Sequence, residues 1–140
     1  MPLSEFRYTR RVQFAETDLA GMVHFSWYLR YMEEAEHALW REAGLSIVPP
    51  EHDLGFPRVS ATVDFHAPLR FEDVFEVWIR VEAITKRTFK YASTITRGGT
   101  RIASGSITAV CVRTHPLQAI DIPEDIAKRF AVYDGDPRLG

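Results

Sequence analysis

Apolar and polar residues alternate in several stretches of the chain, which predicts β-strands with one buried face. The first stretch is 6–15, and the most regular runs over 58–69, where six apolar residues share one side: Val59, Ala61, Val63, Phe65, Ala67 and Leu69. Alternation returns over 75–83, 88–97 and 101–113. The sequence therefore predicts five main strands.

The period changes to three or four residues from about His24 to Ala43, which predicts one long amphipathic helix. Its apolar stripe consists of Phe25, Tyr28, Leu29, Met32, Ala35, Leu39 and Ala43. Gly44 is the expected stop signal. Trp27, Tyr31 and Ala38 widen the apolar sector, so we expect a curved sheet to wrap the helix and a second subunit to touch part of the remainder.

Short connections join the predicted strands, and short connections favour antiparallel pairing. Gly98-Gly99 is a hairpin signal, residues 49–55 read as a loop, and 123–131 is expected to form a short helix. One long helix packed on one antiparallel sheet is an α+β fold in two layers. Residues 1–140 are expected to form a single domain, with a polar tail at about 132–140 that frays.

Composition excludes several classes of protein. The formal net charge of −2 provides no basic field for nucleic acid or an anionic membrane surface. Cys111 is the one cysteine, which rules out an internal disulfide. There is no leader-like apolar segment and no run of about 20 apolar residues, so we expect a cytoplasmic protein. Glu33 and His37 are spaced to face each other but lack a third ligand, so we expect no metal site.

The run TDLAGMVHFSWYLRYMEEAE resembles the signature of the 4-hydroxybenzoyl-CoA thioesterase family, within the hotdog-fold acyl-CoA thioesterases. The matching positions are Thr17, Asp18, Gly21, Val23, Tyr28, Leu29 and Glu33. The resemblance implies a hotdog fold in which five antiparallel strands wrap the helix. It also implies hydrolysis of an acyl-CoA substrate without a cofactor, and a homodimer or homotetramer whose sites lie between subunits. An acyl carrier protein is a further partner that it allows.

The same resemblance assigns the reaction to Asp18, as nucleophile or as general base, and the sequence leaves both roles open. It assigns the oxyanion-binding donor to the backbone N–H of Phe25, because the first N–H groups of a helix lack partners inside it. Gly21 would let the substrate approach the backbone closely. The structural alternative for an acid ahead of a helix is an N-cap. The apolar stripe of this helix begins near Phe25, which is too far past Asp18 for a simple cap.

Further substrate contacts are expected from Val23, His24, Tyr28 and Glu33 in the motif. The alternatives are a backbone-bonded residue at the helix start for His24, packing for Tyr28 and solvated charge for Glu33. Many relatives carry Tyr-His where this chain has His24-Phe25, which suggests a different acyl pocket. Three cations near the turn between the predicted strands 75–83 and 88–97 could meet the phosphates of coenzyme A: Lys86, Arg87 and Lys90. Ordinary solvated charge at the end of a sheet is the alternative.

Two rival functions remain at this point. A hotdog hydratase or dehydratase would pair His24 with an acid in the helix, but the chain lacks the Pro-Gly loop that usually separates them. A non-catalytic acyl-thioester binding protein would bind an acyl-CoA without releasing free thiol. The identity of the acyl group stays open, because the aromatic residues of the helix could line a pocket or fill a core.

Overall fold

The computed structural model of the chain describes residues 1–50 and 53–136. Eight strands, two helices and one 3-10 turn make up its regular structure. In chain order they are β1 (Glu5–Arg11), the 3-10 turn (Phe14–Glu16), α1 (Trp27–Glu42), β2 (Leu54–Gly55), β3 (Arg58–Phe65), β4 (Val74–Ile84), β5 (Thr88–Arg97), β6 (Thr100–Val110), β7 (Val112–Thr114), β8 (Leu117–Ala119) and α2 (Glu124–Ala127).

The main sheet has five antiparallel strands in the order β1-β4-β5-β6-β3. Hairpins join β4 to β5 and β5 to β6, and the second hairpin turns at Gly98 and Gly99, both with positive φ. A small second sheet, in the order β2-β7-β8, lies beside it. The predicted α+β architecture of one long helix and five main strands is confirmed.

Helix α1 is buried along most of its length because the sheet curves around it. Its buried residues are Tyr28, Tyr31, Met32, Ala35, Glu36, Ala38, Leu39 and Trp40. A Cβ placed on Gly105 of β6 would lie 2.1 Å from the backbone oxygen of Thr62 and 3.1 Å from the Met32 side chain. This glycine therefore permits close approach of β3 and α1 to the middle of the sheet.

Both ends of α1 are set by local backbone geometry. The helix begins at Trp27 and not at the predicted position 24, because Phe25 and Ser26 form a turn that the Trp27 N–H closes on the His24 carbonyl at 3.0 Å. Gly44 follows the helix with φ +80°, in the left-handed region that glycine favours. The predicted stop at Gly44 is confirmed.

The apolar side of β3 is less buried than the alternation predicted. Val59 is 63% exposed and Phe65 is 52% exposed, whereas Leu69, which lies beyond the end of the strand, is buried. The reason is topological, since β3 is an outermost strand of the sheet. In the same way Phe14, predicted on the buried side of the first strand, lies in the 3-10 turn and is 75% exposed.

The C-terminal third differs from the prediction in two places. The expected strand 101–113 divides at Cys111, whose N–H bonds the Arg87 carbonyl at 2.7 Å. The expected helix 123–131 is only α2, because Phe130 leaves it to form a bridge with Leu3.

The start of the predicted fraying tail is anchored to the main sheet. The Tyr133 N–H donates to the Val81 carbonyl at 2.8 Å, and its ring packs edge-on against Trp78. Residues 137–140 of that tail lie outside the described residues. No helix in the described part of the chain is long and apolar enough to cross a membrane.

Candidate active site

The predicted acid, Asp18, lies in a tight loop that connects the end of the 3-10 turn to the turn before α1. Its two sides are joined by backbone hydrogen bonds: His24 N–H to the Glu16 carbonyl at 2.9 Å and Asp18 N–H to the Met22 carbonyl at 2.8 Å. Thr17 and Val23 form a bridge between these two contacts. The loop is therefore a small hairpin with Asp18 near its tip.

The carboxylate of Asp18 is held by the backbone of its own loop. Its Oδ1 accepts the N–H of Ala20 at 2.9 Å and the N–H of Met22 at 3.2 Å. Gly21 completes the turn with φ +79°. The other oxygen, Oδ2, has no partner among the residues that the structure describes. One oxygen thus fixes the orientation of the carboxylate, while the other is available for chemistry.

Most of the backbone N–H groups at the start of α1 are already bonded. Those of His24, Trp27 and Tyr28 donate to backbone carbonyls, and that of Ser26 contacts the His24 ring nitrogen Nδ1. Within residues 1–50 and 53–136, no acceptor takes the N–H of Phe25. This is the donor to which the family resemblance assigns the oxyanion.

Asp18 and Phe25 line one open cleft with a volume of about 550 Å³. Most of the other lining residues are apolar, and the complete set is Asp18, Met22, Val23, His24, Phe25, Tyr28, Phe65, His66, Ala67 and Pro68. One wall comes from the loop and the start of α1, and the opposite wall comes from the end of β3 and the residues that follow it. The cleft thus combines a carboxylate, an unbonded N–H and an apolar lining.

Tyr28 closes the inner end of the cleft. Tyr28 as a residue is 4% exposed, and its ring meets Phe65 edge-on at 5.1 Å between centroids. Burial raises the pKa of the Tyr28 phenol above its usual value, and the charge of Asp18 adds to the rise, so the two side chains are close enough to interact. Tyr28 therefore packs in the core and lines the cleft at the same time.

Val23 and His24 have different surroundings in this cleft. Val23 is buried and its N–H bonds the Leu69 carbonyl at 2.8 Å, which joins the loop to the opposite wall. His24 is exposed, and its Nδ1 lies 2.8 Å from the Ser26 hydroxyl while its ring packs against Phe25. His24 thus makes a local structural contact with Ser26 and also keeps an exposed ring edge.

Glu33 lies outside this cleft. It sits on the exposed side of α1 and pairs with Arg58 at 3.2 Å, while Arg58 also bonds the buried carboxylate of Glu36. The structure therefore does not bring Glu33 to the Asp18 cleft of the same chain.

The three predicted phosphate contacts lie toward the other end of the sheet. Lys90 pairs with Glu82 at 2.8 Å, and Arg87 pairs with Asp121 at 3.1 Å. Lys86 is an exposed residue of the connection that carries Arg87. Lys90 is aligned with Thr108 of β6 and the cleft residue Phe65 with Ala103. At the rise of a β-strand, those five positions correspond to about 17 Å.

Sequence reasoning missed a buried polar cluster beneath the loop. Glu16 is 2% exposed, and its carboxylate accepts hydrogen bonds from Arg10 and Tyr31, each at 2.7 Å. The family motif begins at Thr17, one residue after Glu16. The position of Glu16 beside Thr17-Asp18 is therefore the one sequence feature that could have pointed to this residue. The partners of Glu16 lie in β1 and α1, and no local pattern links them.

The second wall of the cleft was also missed. Phe65 was assigned to the core from its place in an alternating run, and His66 was placed on the polar side of that run. In the structure both face the cleft, and His66 Nε2 lies 3.1 Å from the Ser104 hydroxyl. Among the described residues, no group of three His, Cys, Asp or Glu side chains could hold a metal ion.

Comparison with known families matches residues 12–130 to the thioesterase-like superfamily. Among curated proteins, a 1,4-dihydroxy-2-naphthoyl-CoA hydrolase of Thermosynechococcus vestitus is 29% identical over 122 residues, which cover 85% of this chain and 84% of the relative.

Solved structures show the same fold. A protein of Aquifex aeolicus known from its crystal structure is 30% identical, with a TM-score of 0.85 over 90% of this chain and 99% of that chain. A gentisyl-coenzyme A thioesterase is also 30% identical, with a TM-score of 0.79 over 87% of this chain and 99% of that chain. The predicted hotdog fold is confirmed.

Proposed function

Because the chain belongs to the thioesterase-like superfamily and is a thioester hydrolase, we propose that Asp18 and the backbone N–H of Phe25 together hydrolyse an acyl-CoA thioester. One observation carries the proposal. These two groups line the same cleft, and each offers an atom without a partner in the described chain: Oδ2 of Asp18 and the N–H of Phe25.

The carboxylate has two routes to the same products. Oδ2 attacks the carbonyl carbon, CoA leaves as the thiol after protonation, and water then cleaves the resulting anhydride. Alternatively, Oδ2 takes a proton from a water molecule that attacks the carbonyl directly. Both routes give a free carboxylic acid and CoA thiol, and both leave Oδ1 in its loop contacts.

The N–H of Phe25 serves the carbonyl oxygen in either route. Negative charge develops on that oxygen, and the start of α1 adds the partial positive charge of the helix dipole. Removing one such donor in other enzymes costs about 3–4 kcal/mol of transition-state stabilisation. Water and the substrate suffice for this chemistry, so the proposal includes no cofactor.

We assign an aromatic acyl group to the substrate. Phe25, Tyr28 and Phe65 give the cleft three aromatic rings, which suit a flat ring. Two of the relatives are named for aromatic acyl groups, dihydroxynaphthoyl and gentisyl. Gly21 and Val23 shape the loop at this end of the substrate, and His24 offers a polar ring edge.

Lys86, Arg87 and Lys90 remain the proposed contacts for the CoA phosphates. Their distance from the cleft is compatible with this role, because an extended pantetheine arm separates the thioester from the nucleotide. The same arm is the group that an acyl carrier protein presents, so a carrier-bound substrate fits the same cleft.

We also propose that two copies pair along β3, with tetramers as a further step. The apolar sector at Trp27 and Tyr31, which first suggested a partner, does not support this, because Tyr31 is fully buried in its own chain. Support comes from β3, which has no described strand on its outer side and leaves Val59 and Phe65 exposed. Such a partner would complete the cleft and bring Glu33 near the interface.

The test is a thiol-release assay over aromatic, short-chain and long-chain acyl-CoAs, run with wild type and Asp18→Asn. Asparagine keeps an oxygen for the loop amides but can neither attack nor accept a proton effectively. We expect kcat/KM to fall by at least ~10²-fold with the aromatic substrates. Asp134→Asn, an exposed acid beyond α2 and outside the cleft, is the matched control and should retain wild-type activity.

The rival functions give different results in this assay. Hydrolysis that survives Asp18→Asn at a near wild-type rate would exclude the mechanism. Consumption of an enoyl-CoA without thiol release would indicate a hydratase. Saturable binding of an acyl-CoA with no thiol release over hours would indicate a binding protein.

A further inference from the structure

We propose that Glu16 is a positioning residue for the reaction, one that fixes the Asp18 carboxylate and the Phe25 N–H relative to each other. The inference rests on the proposed function, since it concerns the same two groups. Glu16 itself does not line the cleft. It acts through the loop that begins at its own backbone.

Both oxygens of the Glu16 carboxylate have polar partners, and the residue is almost completely buried. Oε1 accepts hydrogen bonds from Arg10 at 2.7 Å, from the Tyr31 hydroxyl at 2.7 Å and from the Gln13 N–H at 2.9 Å. Oε2 meets the other Arg10 nitrogen at 2.7 Å. A buried carboxylate with four contacts from three residues is held in one position.

Burial alone would raise the pKa of Glu16, but the hydrogen bonds from Arg10, Gln13 and Tyr31 outweigh it and lower that pKa below its usual value. Burial raises the pKa of Tyr31 well above its usual value. The carboxylate is therefore ionised and the phenol protonated at neutral pH, which is the pairing that the Tyr31–Glu16 hydrogen bond requires.

The backbone of Glu16 transmits this fixed position to both reacting groups. Its carbonyl accepts the N–H of His24, which directly precedes Phe25, at 2.9 Å. Its next neighbour, Thr17, bridges to Val23 and leads to Asp18. One buried side chain thus holds the root of a hairpin that carries the acid near its tip and is followed directly by the oxyanion donor.

A second path runs through the ring of Tyr31 to the inner end of the cleft. Tyr31 is fully buried, and its ring meets Tyr28 edge-on at 6.0 Å between centroids. Tyr28 in turn lines the cleft. Movement of Glu16 would therefore disturb the cleft from both the loop side and the helix side.

Glu34 provides a matched control within the same cluster. It accepts hydrogen bonds from Arg10 at 2.8 Å and from Tyr8 at 2.9 Å, but it makes no contact with the loop. Removing either carboxylate leaves Arg10 with one acidic partner. The two variants therefore share the electrostatic loss and differ in whether the hairpin loses its anchor.

The first experiment compares Glu16→Gln with Glu34→Gln. We expect Glu16→Gln to lower kcat by about 10-fold or more with KM changed by less than about threefold, because misplaced reacting groups affect turnover more than binding. Glu34→Gln should lower the melting temperature by less, because its side chain is 32% exposed, and should keep kcat within about twofold. Equal loss of kcat in both variants would overturn the proposal.

The second experiment tests whether Glu16 acts through Asp18. In the Asp18→Asn background, Glu16→Gln should lower the residual rate by a clearly smaller factor than in wild type, because one of the two groups that it positions is gone while the Phe25 N–H remains. Multiplication of the two effects would contradict the inference. Should Glu16→Gln fail to fold, Tyr31→Phe removes one of its hydrogen bonds and should show a smaller loss of the same kind.

Amide hydrogen exchange gives a measurement that needs no substrate. Loss of the Glu16 anchor should accelerate exchange at the His24 N–H, which bonds its carbonyl, and Glu34→Gln should leave that exchange unchanged. Unchanged protection in Glu16→Gln would refute the positioning role. If instead Asp18→Asn proves fully active while His24 exchange responds as expected, the proposed mechanism fails and the anchoring role of Glu16 stands.

Discussion

At the scale of single residues, the loop around Asp18 depends on a left-handed glycine. Gly21 has φ +79°, and a Cβ there would meet only the end of the Arg70 side chain, at 3.8 Å. Substitution would therefore cost backbone strain and no steric clash. Because Asp18 takes the N–H groups on both sides of this glycine, a change in the turn would also turn the carboxylate.

We expect Gly21→Ala to lower the free energy of unfolding by about 1 kcal/mol and to reduce kcat as well. Gly99→Ala is the control, since Gly99 has φ +83°, open space around it and a place in the β5–β6 hairpin. It should lose similar stability and keep full turnover. Denaturant titration and the thiol-release assay measure the two quantities, and full activity in Gly21→Ala would show that the turn tolerates movement.

Residue-level reasoning from the sequence predicted Asp18 and Phe25 as site residues through a motif and missed the buried groups beneath their loop. A motif preserves spacing along the chain, and Asp18 to Phe25 is a local distance. Glu16, by contrast, matters because Arg10 and Tyr31 converge on it from two other elements. Such convergence is a property of the tertiary fold and has no periodic signal.

At the scale of elements, the contact between α1 and the sheet depends on the absence of a side chain at Gly105. The Thr62 backbone oxygen occupies the space where a Cβ would lie. An added methyl group must push β3 away from β6 or lift α1. Since β3 leads into the second wall of the cleft, either displacement would reach the site.

Gly105→Ala should therefore destabilise the chain by about 3 kcal/mol, at the upper end of the usual cost of overpacking. Ser106→Ala, the next residue of β6, removes only an exposed hydroxyl contact with Thr62 and should change stability by less than about 0.5 kcal/mol. Chemical denaturation monitored by tryptophan fluorescence compares them. Equal midpoints for the two variants would mean that the strands adjust without cost.

Alternation and helical period predicted every strand of the main sheet and the long helix, because each of these elements has one face in a core. Alternation overestimated the burial of β3, and the terminal Pro and charges of 123–131 overestimated the length of α2. Alternation reports which side chains are apolar, and it does not report whether another element covers them. The turn at Cys111 and the departure of Phe130 toward Leu3 depend on partners distant in sequence.

At the scale of the whole molecule, the exposed β3 surface predicts self-association. Ala61 is exposed on β3 and lines a shallow hollow with Leu29, so a charge there would oppose a second copy. We expect wild type to sediment as a dimer or tetramer and Ala61→Glu to shift toward the mass of one chain. Leu117→Glu adds the same charge on exposed β8 and should sediment like wild type.

Wild type that sediments as a monomer at micromolar concentration would remove the pairing proposal. The cleft would then have to work with one open side. The sequence suggested a partner surface from the apolar sector around Trp27 and Tyr31, and the structure buries Tyr31 against Phe75 and Arg10 of its own chain.

The two oxygens of Asp18 differ in their bonding partners, and this difference has a practical consequence. Because Oδ1 holds the loop and the proposed mechanism uses Oδ2 for the reaction, we expect asparagine to stop turnover while the loop around it persists. The silenced protein would retain its natural thioester intact during purification from a cell extract. Mass spectrometry of the retained compound would then identify the acyl group of the natural substrate directly.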